Sequence, residues 1–233
     1  MRFGAENKRS LFIALIIFWA FFGSACGQTQ EQKMKQIQEH TEKARNFRIK
    51  GDFQAAVREQ LKAVELNPND DDSQMLLGGI YIELKQYDKA VESLKKAVSI
   101  NPDNAWAHHS LSIALGETGK DKEALEESKK AVQINSDNVN FISFLGANYE
   151  QIGDKKSAKE TFEKALKMAP DYIPAMYRLG TLEAEEGNTQ RAKEIFEKAI
   201  KTEPGEENDK LYIDLSKKEL EKLKSSPSSE KKP

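Results

Sequence analysis

A single cysteine, Cys26, stands in the 233 residues, so no disulfide can form within the chain. The histidines number three, His40, His108 and His109, and none has a partner at metal-ligand spacing. Aromatic residues make up only 8%, while 13 glycines and 7 prolines are too few for a collagen-like or low-complexity chain. A net charge of −2 offers nucleic acid no general attraction. Gly-rich phosphate loops, metallopeptidase helix motifs and nucleophile elbows are also missing. The run Asp70, Asp71, Asp72 lacks the glycine and distal glutamate of a calcium loop and reads as helix capping. These absences lead to the expectation of no cofactor, no metal, no nucleic acid partner and no enzymatic activity.

Long apolar runs are scarce too, and the one present lies at the start. Arg2, Lys8 and Arg9 precede an unbroken apolar stretch from Leu11 to Phe22. Gly23, Ser24 and Ala25 follow, then Cys26. A basic start, a short apolar run and small residues form the pattern of an export signal. The run is short against the ~20 residues that a spanning helix needs. Gly-Ser-Ala-Cys resembles a bacterial lipobox, in which the signal is cut before the cysteine and the new N-terminal cysteine carries a lipid. Gly23 departs from that pattern, where a Leu-like residue is usual. Three fates therefore stand open for residues 1–25: cleavage with lipidation of Cys26, retention as a signal anchor, or cleavage and release. Cleavage before Cys26 removes Arg2, Glu6, Lys8 and Arg9 and takes the net charge to −4.

Past this leader the chain repeats. KAVELNPND, KAVSINPDN, KAVQINSDN, KALKMAPDY and KAIKTEPGE recur, with Ala63, Ala97, Ala131, Ala165 and Ala199 at a constant step of 34. Ala56, Ala90, Ala124, Ala158 and Ala192 form a second series with the same step. Self-similarity at such a period signals stacked supersecondary units. Each unit carries two apolar patterns of helical period, separated by Gly51, Lys85, Gly119, Gly153 or Gly187. Glycine at a helix C-terminus supplies a positive φ without a Cβ clash. The Asn-Pro-Asp type segments stop one helix and cap the next.

This pattern resembles the tetratricopeptide repeat family, W-x2-L-G-x2-Y followed by A, F and a closing P. Leu77, Leu111, Leu145 and Leu179 match the leucine, and Gly78, Gly146 and Gly180 the adjacent small residue. Tyr81 and Tyr149 match the aromatic, Phe162 and Phe196 the second-helix aromatic, and Pro68, Pro102, Pro170 and Pro204 the closing proline. The resemblance implies an all-α fold, an α-solenoid of five tetratricopeptide (TPR) helical hairpins plus a C-terminal capping helix. The units frame as 37–70, 71–104, 105–138, 139–172 and 173–206. Residues 207–224 form the capping helix and 225–233 a disordered tail. Residues 26–36 read as a polar tether whose flexible part, near 27–33, reaches about 15 Å. Lys43 and Gln60, polar where later units are apolar, predict a water-facing first hairpin.

Lys62, Lys96, Lys130, Lys164 and Lys198 recur at the repeat step. Glu92, Glu126, Glu160 and Glu194 stand four residues ahead of the last four, which predicts a charge-paired outer face. His108 takes the family's tryptophan position and reads as a packed residue. In this family, ligands occupy a concave groove lined by the first helix of each hairpin. The corresponding residues here include Arg45, Met75, Ile82, Trp106, His109, Ile113, Asn140 and Tyr177, with Met75, Trp106 and Tyr177 as the expected apolar anchors. Trp106 has a second reading, as filler of the seam between the second and third hairpins. The Lys-Asn-Arg clamp by which some relatives hold a carboxylate is missing apart from Arg45. Glu83, Glu117 and Glu185 share a phase that suggests an acidic rim. The resemblance thus implies a membrane-tethered scaffold in a bacterial envelope that binds a protein or peptide during assembly of a complex. A regulatory subunit that positions a cell-wall enzyme, or a secreted soluble adaptor, remains an alternative.

Overall fold

The computed structural model describes residues 29–205 and 208–225. The leader, Cys26 and the tail beyond residue 225 lie outside these. Among the described residues all regular structure is α-helical, and none of the helices is long and apolar enough to cross a membrane. The chain divides into two units, up to Gln86 and from Tyr87 onward.

The first unit holds α1 (29–49), α2 (Phe53–Leu66) and α3 (Asp71–Glu83). Residues 29–36, the first described residues of α1, are helical where a polar tether was expected. Gly51 takes φ +77° between α1 and α2. Its N–H donates to the Arg48 carbonyl, and that of Asp52 to Phe47, which satisfies carbonyls the helix end leaves open. Asp70 caps α3 by accepting from the Ser73 N–H at 2.9 Å, so the acidic run does cap a helix. Gln60 overturns the expected wet face: it is fully buried, and its amide donates to the Ser73 carbonyl at 2.9 Å. The first turn of α3 supplies this one partner, while the Gln60 Oε1 is buried without a hydrogen bond. Lys43 is exposed as expected.

The second unit holds α4 (Tyr87–Ile100), α5 (Ala105–Glu117), α6 (Asp121–Ile134), α7 (Val139–Gln151), α8 (Lys155–Met168), α9 (Ile173–Glu185), α10 (Thr189–Lys201) and α11 (Asp209–Ser225). Helices α5/α6, α7/α8 and α9/α10 pack as pairs, each pair against the next, with α11 on α9 and α10. The alanines of both periodic series are buried throughout. Their single methyl groups let helix backbones approach closely. Gly146 and Gly180 serve the same end more stringently. A Cβ on Gly146 would lie 2.6 Å from the Phe162 ring, and one on Gly180 2.7 Å from Phe196. Both phenylalanines are fully buried, each worth about 2–3 kcal/mol in water-excluded area. The last pair is closed by α11, whose Leu220 and Leu223 pack on Ala192 and Phe196.

Candidate functional site

In the second unit, Asn104 caps α5 by accepting from the Ala107 N–H at 3.0 Å, and Asn138 caps α7 by accepting from Phe141 at 3.2 Å. These caps start both helices in the same register, one repeat apart. Trp106 and Phe141 thereby fall in neighbouring first turns. The indole meets the buried Phe141 ring edge-on, 4.7 Å between centroids at 77°. His109, one turn along α5, lies 4.9 Å from both Phe141 and Phe144. Trp106 nevertheless stays 51% exposed. Its ring partner Phe141 belongs to α7, the first helix of the following pair.

Beside these rings lies a hollow of about 340 Å³, lined by Trp106, His109, Asn140, Ser143, Phe144, Ala147, Tyr172, Pro174, Arg178, Asn208, Asp209 and Tyr212. The Tyr172 hydroxyl donates to Asn140 Oδ1 at 2.5 Å. Arg178 donates to Glu150 at 3.1 Å, and Asp209 accepts from the Gly205 N–H at 2.9 Å. Burial among rings pushes the His109 imidazole down to about 4, and its Nδ1 is buried without a hydrogen-bond partner. At neutral pH this ring is therefore an uncharged part of the wall.

A family model described as the cytochrome c-type biogenesis protein H TPR domain matches residues 24–176, and a tetratricopeptide repeat model matches 151–212. The chain belongs to the tetratricopeptide repeat family. Among solved structures, a crystal structure of the MamA protein is 26% identical, covers 76% of this chain and 96% of its own, and superposes with a TM-score of 0.64. YrrB, described as a TPR protein with an unusual peptide-binding site, is 22% identical over 80% of this chain and 97% of its own, with a TM-score of 0.61. The Pseudomonas aeruginosa pilF product is 19% identical over 82% and 88%, with a TM-score of 0.68. These neighbours share the α-solenoid class. No curated protein matches the sequence.

Within this tetratricopeptide fold the structure gathers some of the expected groove residues and separates others. Trp106, His109 and Asn140 line one hollow. Ile113 is half-buried on α5 outside that lining. Tyr177 also stands apart: its ring packs 5.6 Å from Tyr212 and 6.3 Å from Phe196, so it joins the seam under α11. The C-terminal helix covers what would otherwise be groove. Arg45, Met75 and Ile82 belong to the first unit, exposed on α1 and half-buried on α3. Phe144 and Arg178 were not anticipated. Phe144 is legible as an aromatic one turn after Asn140, whereas Arg178 depends on Glu150, 28 residues away.

The charge pairing also differs from the expected pattern. Lys96 does pair with Glu92, four residues before it, at 2.8 Å. Lys62, which has no glutamate four residues ahead, pairs with Glu59, and Lys130 turns instead to Glu127, three residues before it. Those two carboxylates are already fixed by His40 and His108, whose Nδ1 atoms lie 2.8 and 2.5 Å from them. His108 is buried, as its position implied, and its Nε2 meets the Pro102 carbonyl at 2.9 Å. Along the acidic phase, Glu83 pairs with Arg48 and Glu185 with Lys155.

Proposed function

We propose that this chain is a tetratricopeptide scaffold that captures a segment of a partner protein in the hollow beside Trp106. It does so tethered to a membrane through a lipid on Cys26 and serves assembly of a bacterial envelope complex. The carrying observation is Trp106: half-exposed, yet packed edge-on against Phe141. Aromatic anchors fixed before binding lose little rotamer freedom and are enriched at interface hot spots. The family supports a binding role over a catalytic one. YrrB, by its description, has a peptide-binding site, and the matching biogenesis-protein domain is named for the assembly of another protein.

A photo-cross-linking residue placed at Asn140 in intact cells tests the capture. A discrete adduct that disappears in Trp106→Ala supports it, and adducts indifferent to Trp106 would move the site elsewhere. Mass spectrometry of the mature N-terminus tests the tether independently. A lipid-modified Cys26 is expected, and an unmodified Cys26 in a soluble fraction would sink it.

A further inference from the structure

The hollow of the second unit also restricts what can fill it, on the reading that a partner segment sits there. Its charged side chains already have partners within the chain. Arg178 is engaged by Glu150, Asp209 accepts from the Gly205 backbone, and His109 is neutral at neutral pH. A strongly acidic or basic segment would therefore exchange its hydration for no unpaired countercharge.

Apart from the Asp209 carboxylate and the hydroxyl and amide groups that can both donate and accept, the hydrogen-bonding groups of the hollow are donors. Because Tyr172 occupies the Asn140 carbonyl oxygen, the amide NH2 of Asn140 remains to donate. Arg178 spends one guanidinium N–H on Glu150 and keeps others. The indole N–H of Trp106 adds a further donor, and an indole has no acceptor nitrogen. An occupant should therefore be rich in free acceptors.

The apolar surface is made of ring faces and edges at steep angles, Trp106 against Phe141 at 77° and Phe144 against His109 at 81°. Such facets accept flat, compact apolar groups. A polyproline II segment joins these properties. It carries no charge, leaves every backbone carbonyl without an internal partner, and displays pyrrolidine rings that stack on aromatic faces. It is also extended before binding, which limits the ordering entropy that a shallow open site must overcome.

We infer that the hollow is a docking site for an uncharged, proline-rich segment of a partner protein. In it Trp106 stacks on a proline ring while Asn140 and Arg178 donate to the segment's carbonyls. A carboxylate-terminated peptide would instead bring a charge that Arg178, already paired with Glu150, does not balance, and an amphipathic helix would present side chains in place of accepting carbonyls.

The test uses the full chain carrying Trp19→Phe, which leaves Trp106 as the only indole. A polyproline peptide of about ten residues is titrated. The expected result is a saturable shift of Trp106 fluorescence that high salt leaves unchanged. By calorimetry, Trp106→Ala should weaken the peptide at least about ten-fold. Asn140→Asp keeps the acceptor for Tyr172 but removes the donor, and should weaken it several-fold with Tm unchanged. A glycine-serine peptide binding equally well, an acidic peptide binding in a salt-dependent way, or no response to polyproline would each overturn the inference. In-cell adducts at Asn140 to a segment without proline would overturn it too, while leaving the scaffold reading intact.

Discussion

Helix pair α5/α6 carries Ser112 and Ser128 at the places that α7/α8 fills with Gly146 and Phe162, and α9/α10 with Gly180 and Phe196. In the first, Ser112 donates to the Ala124 carbonyl at 2.7 Å and accepts from Asn148 at 3.0 Å. His108 likewise occupies the place of Ile142 and Met176 one and two repeats later. The same helical frame is thus held by satisfied polar contacts in one pair and by ring-on-glycine packing in the other two. The lesson is that a constant period fixes where helices cross while leaving open the chemistry of the crossing. Polar crossings specify orientation, because each group needs its partner. Apolar ones contribute more burial but demand an exact shape.

That contrast can be tested first where the ring matters most. Phe162→Ala empties a fully buried site and should cost about 3–5 kcal/mol, whereas Ser128→Ala should cost about 1 kcal/mol. Equal shifts of the denaturant midpoint would erase the distinction.

The next effect falls on α5. The folded His109 imidazole sits at about 4 against an ordinary 6.5. Between these values the unfolded chain binds a proton that the folded chain refuses. Stability from this residue is therefore complete above pH ~6.5 and falls as pH drops toward 4, by up to about 3 kcal/mol. Stability curves of His109→Phe should lack that part of the slope. An unchanged slope would mean that the ring titrates freely.

The smallest effects separate glycines that packing requires from one that it does not. Gly146→Ala drives a methyl into the Phe162 ring and should destabilise by about 1–3 kcal/mol. Gly79, mid-helix in α3, has nothing within 4 Å of an added Cβ. Gly79→Ala should therefore raise stability by about 1 kcal/mol through helix propensity alone. Thermal midpoints moving in the same direction for both would refute the assignment.

Local and periodic features were legible in the sequence. The turn glycines Gly51, Gly119, Gly153 and Gly187 all take positive φ, and Lys85, alone among the described non-glycine residues, does the same at φ 57°. Caps and alanine seams followed from spacing as well. What escaped depended on partners distant in sequence. Gln60 looked like a surface residue because its partner, the Ser73 carbonyl, belongs to the next helix. Glu183 stands in the repeat's aromatic position and is fully buried, with Asn188 donating at 2.7 Å and the Lys159 and Arg191 cations ion-paired with it at 3.1 Å. Burial alone would raise its carboxyl; these partners hold it below the usual range. The hollow was only half legible. Trp106, His109 and Asn140 fall on one helical phase, but Tyr177 was drawn away by α11, a helix outside the repeat.

That C-terminal helix has a further consequence. In a linear stack each internal pair has two neighbours and an end pair only one, so opening ordinarily begins by fraying at the ends. With α11 laid against α9 and α10, and Ile213 and Leu220 buried there, the last pair gains a second neighbour. Amide hydrogens of α10 should consequently exchange as slowly as those of α8, and the final turns of α11 itself become the place where this end of the molecule breathes.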